Sequence, residues 1–169
     1  MSIILGKRMR LRAVERDDVP RFHEWVNDPE VTRGLALYLP MSMRDEEDWF
    51  ERVSKGDPNQ KPLAIEVRKG KAWKLIGNCG VFDISFTNRS AELGIIIGDK
   101  SEWNKGYGAE AMTLLLRHCF ETLNLNRAFL RVYEEISALF VRTKKRVLFW
   151  RADCVKQSTN TENTRMFSL

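Results

Sequence analysis

The chain is poor in the residues that would build a metal centre or a disulfide scaffold. It has three cysteines, Cys79, Cys119 and Cys154, scattered and odd in number, and two histidines, His23 and His118. No spacing among them matches a metal site or a disulfide framework, so a reduced, cytoplasmic protein without structural metal is expected. No apolar run reaches membrane-spanning length, and the N-terminus lacks the apolar core of a signal peptide, so no membrane partner is expected. Repeats, linkers and low-complexity stretches are missing too. Charge of one sign is missing from most of the chain. Of 28 basic and 23 acidic residues, the segment from Ile136 onward holds seven and two, which accounts for the whole net charge of +5. The neutral remainder carries no basic stripe, which argues against a nucleic-acid partner.

What is present is ordinary for a globular enzyme-sized domain: 169 residues, 43% hydrophobic and 30% charged. That length suffices for one domain, residues 1–169, with a substantial core. Alternation over Ile3–Arg12 predicts a first strand. Asp17 and Asp18 can cap a helix running to about Asn27, broken by Asn27-Asp28-Pro29. A loop follows over 32–40. Ser42, with Asp45 and Glu46, opens a second helix that turns Trp49, Phe50 and Val53 inward. Pro62–Arg68, Trp73–Ile84 and Ser90–Ile97 read as three strands of an antiparallel meander, with Gly77 and Gly80 as possible bulges. Arg127–Tyr133 reads as a strand that returns parallel to Ser90–Ile97.

The most informative stretch runs from Ala91 to Leu123. An apolar run, Leu93 to Ile97, meets Gly98-Asp99, then a polar loop, then Lys105-Gly106-Tyr107-Gly108. Beyond it, Met112, Leu115, Leu116, Cys119, Phe120 and Leu123 fall on one helical face. Strand, glycine loop and helix in this order place unpartnered backbone N–H groups and the positive end of a helix dipole where an anion could dock. The loop is neither a Walker loop, lacking Gly-Lys-Ser/Thr, nor a full GxGxxG, since Ala111 occupies the third glycine's place.

The string Glu92-Leu93-Gly94-Ile95-Ile96-Ile97, then Trp103-Asn104-Lys105-Gly106-Tyr107-Gly108, then Glu110-Ala111, resembles the acetyl-CoA motif of the GCN5-related N-acetyltransferases (GNAT). The opening Leu-Arg and Trp25-Val26-Asn27-Asp28-Pro29-Glu30-Val31 resemble its RimJ/RimL-like branch of ribosomal-protein N-terminal acetyltransferases. The resemblance covers about residues 3 to 135, with Trp103 where the family writes Gln or Arg. It implies a GNAT-like acyl-CoA N-acyltransferase fold, α/β, with a mixed, mostly antiparallel bent sheet flanked by helices. It also implies acetyl transfer from acetyl-CoA, as co-substrate, to a primary amine, foremost a protein N-terminal α-amine such as a ribosomal protein N-terminus. Polyamine or aminoglycoside acetylation, and a catalytically impaired acyl-CoA-binding protein, are the alternatives. A monomer or homodimer is expected.

By the resemblance, amides of Trp103, Asn104, Lys105, Gly106, Tyr107 and Gly108 face the CoA pyrophosphate, and Leu93, Ile95, Ile96 and Ile97 offer strand backbone to the pantetheine arm. Lys105 could pair with a CoA phosphate or be a solvated loop lysine. Glu92 is the candidate base for deprotonating the amine, against the plain reading of a strand-end glutamate. Glu110, in the helix's first turn, reads as structural. Asp28, Glu30, Trp49 and the 33–40 loop correspond to the family's substrate side, and the two acids could attract a cationic amine or simply cap a helix. His23 and His118 read as surface or boundary residues, and Cys119 as core.

After Tyr133-Glu134-Glu135 the family pattern stops. Its pantetheine-binding Asn would stand at Ile136, and its thiolate-protonating Tyr at Thr143. With synonymous codons chosen freely, a one-base shift after Glu135 turns the following residues into Asn-Lys-Arg-Ala-Ile-Arg-Thr-Tyr-Glu-Lys-Ala-Gly-Phe-Val-Leu, which restores the family's Asn, Tyr and Gly-Phe. A frameshift is therefore expected over 136–169. As written, Ser137–Lys145 could form a helix and Val147–Val155 a strand.

Overall fold

The computed structural model describes residues 3–33, 35, 39–134, 144–151 and 167–168. Its contacts group into two compact units, Met1–Gly80 with Ile95–Leu114, and Val81–Gly94 with Leu115–Leu169. The expectations at Ile136 and Thr143 lie outside the described residues, as does the helix expected over Ser137–Lys145 up to residue 143; its last two residues, Lys144 and Lys145, are strand instead.

The first unit begins with a correction. The strand expected over Ile3–Arg12 is two short strands, β1 (Ile4–Leu5) and β2 (Met9–Ala13), folded back so that Ile4 faces Leu11. The turn is closed by the Gly6 N–H donating to the Met9 carbonyl at 2.9 Å. A Cβ on Gly6 would meet Glu110 Oε1 at 2.9 Å, which is why a glycine breaks the alternation there. β2 runs antiparallel to β3 (Leu63–Lys69), and β3 to β4 (Ala72–Ser85). The β3–β4 register slips between Ile65 and Glu66, opposite Gly77 and Leu75, so the bulge expected at Gly77 is present. Met9, Leu11, Ile65, Val67 and Ile76 are buried, the apolar half of each alternating run.

Three helices belong to this unit. α1 (Val19–Val26) is preceded by a one-turn 3-10 helix over Arg16–Asp18, and α2 (Pro29–Thr32) is a single turn capped by Asp28. α3 (Met43–Lys55) opens on a capping box in which Ser42 and Asp45 exchange hydrogen bonds. Phe22, Trp25 and Val31 form an apolar cluster with Val14, Trp49, Leu75, Ile96 and Trp103 against it. Phe22 meets Trp49 edge-on at 5.9 Å. Asp18 anchors more than a helix start. Arg12 donates to both its oxygens at 2.7 and 2.8 Å and reaches Glu66 Oε1 at 3.0 Å, which joins β2, the 3-10 turn and β3.

The second unit holds the only parallel pairing recorded among the described residues. β5 (Ser90–Ile97) and β6 (Arg127–Glu134) are parallel, in register from Ser90–Arg127 to Leu93–Leu130. β7 (Lys144–Arg151) pairs antiparallel with all of β6, and β8 (Phe167–Ser168) with β7. The strand expected over 147–155 is thus found a few residues earlier, with Trp150 buried. α4 (Tyr107–Arg117), which belongs to the first unit up to Leu114, begins at the glycine loop and continues as a π-helical turn over His118–Thr122, where a regular helix was expected. Ala111, Leu114, Leu115, Leu116 and Cys119 are its buried face. The Arg89 carbonyl accepts from the Asn126 and Arg127 N–H groups at 2.7 and 3.0 Å and so sets the start of β6.

Candidate functional site

The loop between β5 and α4 is built by hydrogen bonds from both of its ends. The N–H groups of Gly98 and Asp99 both donate to the Ile76 carbonyl, at 2.9 and 3.1 Å, and end β5. Gly98 must be a glycine, because a Cβ there would sit 2.0 Å from the Trp25 indole. Asp99 caps a 3-10 turn over Lys100–Glu102 through Ser101. Trp103, expected near the cofactor, donates its indole N–H to the Ile97 carbonyl at 2.7 Å and so ties the loop to the strand it leaves.

Asn104 (φ +60°) and Gly106 (φ +79°) are both left-handed, one on either side of Lys105. Left-handed residues alternating with right-handed ones turn successive N–H groups to the same side and form an anion-binding concavity. Helix α4 starts immediately after it. The two glycines differ in what requires them. Gly106 is set by its positive φ. Gly108 is not: its φ is ordinary, and an added Cβ would meet only Ile97 Cγ1 at 3.9 Å. Among the described residues, packing therefore admits a Cβ at Gly108.

Beside this loop lies a charge cluster that the sequence did not reveal. Glu102 is buried, its side chain 3% exposed, and takes three ammonium groups: Lys69 at 3.0 Å, Lys74 at 3.1 Å and Lys105 at 3.0 Å. Hydrogen bonds from Lys69 and Lys105 hold its carboxyl well below the usual range, at about 2. Lys74 also reaches Asp99 at 2.8 Å. Arg8 pairs with Glu110 at 2.9 Å, donates to the Lys105 carbonyl at 3.1 Å, and lies 4.7 Å over the Tyr107 ring. Glu110, expected to be structural, is the tether between the N-terminal hairpin and α4.

Glu92 and Leu93 fall in the second unit. Glu92 faces Phe129 across the parallel pair, which puts Arg131 on its own face of the sheet. Arg131 Nε donates to Glu92 Oε1 at 2.5 Å, and Nη2 of the same guanidinium lies against Oε2. Glu92 is therefore a fixed, ion-paired carboxylate and not a free strand-end side chain. A carboxylate held in this way can orient an amine or a water.

The acids expected to draw a cationic amine are occupied. Lys100 pairs with Asp28 at 2.7 Å and Glu30 at 2.6 Å, and these contacts hold the Asp28 carboxyl below its ordinary range. His23 contacts the Met41 carbonyl at 3.0 Å. Glu46, in the first turn of α3, is buried, and burial pushes its carboxyl up. The 33–40 loop lies partly outside the described residues. Among the described residues no group of His, Cys, Asp and Glu side chains gathers as a metal site, and no helix is long and apolar enough to cross a membrane.

Comparison with known proteins identifies the family and the fold. The family model described as "Acetyltransferase (GNAT) domain" matches residues 8–138. The chain is 27% identical over 139 residues to the uncharacterized N-acetyltransferase p20 of Bacillus licheniformis, covering 80% of this chain and 75% of that protein. Its fold superposes on spermidine N-acetyltransferase from Vibrio cholerae, solved with CoA and spermine, with a TM-score of 0.75 over 89% of this chain and 99% of that one, at 20% identity. A Vibrio cholerae protein described as a ribosomal-protein-serine acetyltransferase superposes with a TM-score of 0.59, at 24% identity, over 77% of this chain and 73% of its own.

The Glu102 cluster makes stability depend on pH with a definite sign. Its carboxyl titrates at about 2 when folded, below the ordinary 4.5. The folded state thus binds fewer protons, and the contribution is complete above pH 4.5 and disappears as pH falls towards 2. Glu102→Gln should lower the urea midpoint near neutral pH, and the gap to the parent should close over that acidic window. A gap of constant size would show that Glu102 does not stabilise as a charge.

Proposed function

The chain belongs to the GNAT acetyltransferase family and is an acetyl-CoA-dependent N-acetyltransferase, and on that premise we propose that its acceptor is a protein N-terminal α-amine. We read residues 1–169 as one cytoplasmic N-acetyltransferase domain of the RimJ/RimL-like branch. The carrying observation is that Asp28 and Glu30 share Lys100, so the three groups together keep a single negative charge. A polyamine presents several positive charges at once and needs several free carboxylates, whereas an N-terminal amine presents one.

In this reading the pyrophosphate of acetyl-CoA lies on the amides of Lys105 to Gly108, and the strand backbone from Leu93 to Ile97 borders the pantetheine arm. The support is the pair of left-handed residues and the lack of a close contact at Gly108, where a Cβ would meet Ile97 Cγ1 at 3.9 Å. The amine nitrogen attacks the thioester carbonyl carbon, a C–N bond forms, and the C–S bond breaks. One proton leaves the amine and one is taken up by the CoA thiolate. No covalent link to the protein is required, so positioning supplies most of the rate. Glu92, fixed by Arg131, holds the amine or a water that carries its proton away.

Gly108→Val should fold normally and bind acetyl-CoA roughly tenfold or more weakly by calorimetry, because a branched Cβ occupies the phosphate's approach. Unchanged affinity would remove the loop from the site.

Glu92→Gln should bind acetyl-CoA as the parent does. Thiol release with N-terminal peptides should slow by roughly a hundredfold, and the acidic limb of the pH profile should flatten. The same assay with spermidine and an aminoglycoside separates the acceptors. Faster turnover of spermidine than of any peptide would replace the N-terminal amine by a polyamine.

We further propose that residues 136–169 are read out of frame. The full β6–β7 ladder does not oppose this, because ladder bonds are made by backbone and accept either sequence. Inserting one base after the Glu135 codon should raise both the melting temperature and the rate, since it returns an amide for the pantetheine arm and a phenol for the leaving thiolate. A native transcript that encodes the tail as written, with no gain on insertion, would establish the tail as genuine.

A further inference from the structure

Lys69 and Lys105 meet at the buried Glu102 beside the glycine loop. Four cations, Arg8, Lys69, Lys74 and Lys105, share three carboxylates, Asp99, Glu102 and Glu110. One positive charge is left over in a small space. Gathering like charges costs free energy, and one carboxylate offsets only part of that cost. A polyanionic ligand would offset the rest.

The donors are not equally committed. Lys74 has all three N–H groups directed, to Asp99, Glu102 and Ser101 Oγ. Lys69 and Lys105 each give one to Glu102, and an ammonium carries three. Both therefore keep two donors, and their side chains are 42% and 48% exposed. Glu102 lies beneath them and fixes their direction. Lys69 Nζ stands 6.0 Å over the Tyr107 ring centroid, so the ammonium borders the first residue of α4.

We propose that Lys69 and Lys105, aimed by Glu102, hold the ribose 3′-phosphate of acetyl-CoA and make the protein selective for the phosphorylated nucleotide. This rests on the reading that the pyrophosphate occupies the Lys105–Gly108 amides. CoA carries two phosphate groups of different character. The pyrophosphate diester matches a row of backbone amides. The terminal monoester has three free oxygens and higher charge, and it matches two ammonium groups with four spare donors. The two groups are one ribose apart in the ligand, as the amides and the lysines are neighbours in the loop.

The test compares acetyl-CoA with acetyl-3′-dephospho-CoA as donors for the parent, Lys69→Ala and Lys69→Arg. The parent should show a KM roughly tenfold lower for acetyl-CoA than for the dephospho form, with similar kcat. Lys69→Ala should raise KM for acetyl-CoA several-fold and the dephospho KM much less, and so reduce the ratio towards one. Lys69→Arg should recover most of the ratio. A parent that does not distinguish the two donors, or a Lys69→Ala that weakens both equally, overturns the assignment while leaving the pyrophosphate site intact. If calorimetry detects neither donor on the parent, the pyrophosphate reading falls and this inference with it.

Discussion

A buried carboxylate cannot stay ionised without partners, and Glu102 obtains its partners from three separate pieces of chain. Lys69 comes from the end of β3, Lys74 from β4, and Lys105 from the loop that leads into α4. Satisfying one charge thereby fixes the β3–β4 turn against the glycine loop. An isolated buried carboxylate would cost several kcal/mol, and removing any single partner leaves a fraction of that cost exposed. The loop geometry at Asn104 and Gly106 is held in the same way, from outside, by Lys105 on Glu102 and Arg8 on the Lys105 carbonyl. Left-handed backbone persists only where the surroundings determine it.

A second knot of the same kind stabilises the other end of the unit. Arg12 spans Asp18 and Glu66, and this forked contact raises the guanidinium's affinity for its proton. Trp25 then fills the space over Gly98, where no side chain could fit. The end of β5 is thus set by packing and by the paired N–H bonds to Ile76, and the loop starts from a fixed point. Trp103 completes the set by donating to Ile97, a bond that a glutamine or arginine could make only with a longer, less rigid side chain.

Strand, loop and helix around residues 91–123 were legible because each leaves a local mark: β-branched alternation, glycine, then a 3.6-residue stripe. The family followed from the same string. The split of the first strand was not legible, since the reason for it, Glu110 beneath Gly6, lies 104 positions away. The partner of Glu92 was hidden for the same kind of reason. Arg131 reaches it only through the parallel register, and a register is not written in either strand alone. Glu102 looked like one more polar loop residue. Its single hint was the lysine three positions on, and an i,i+3 pair is too common to single it out. Sequence periodicity reports which face is buried, and says little about which distant charges will meet.

The contrast between Gly106 and Gly108 carries the argument from fold to function. Both were read as parts of one motif, and a motif does not say which residue serves the backbone and which the ligand. The structure separates them: a positive φ accounts for Gly106, and nothing among the described residues accounts for Gly108. An unexplained glycine at the first turn of a helix, over a concavity already bordered by fixed cations, is a place where the chain is complementary to something outside itself. Because the amides and ammonium groups are held in position before any ligand arrives, binding need not order them again. That is the condition under which a few charge-assisted hydrogen bonds yield useful affinity.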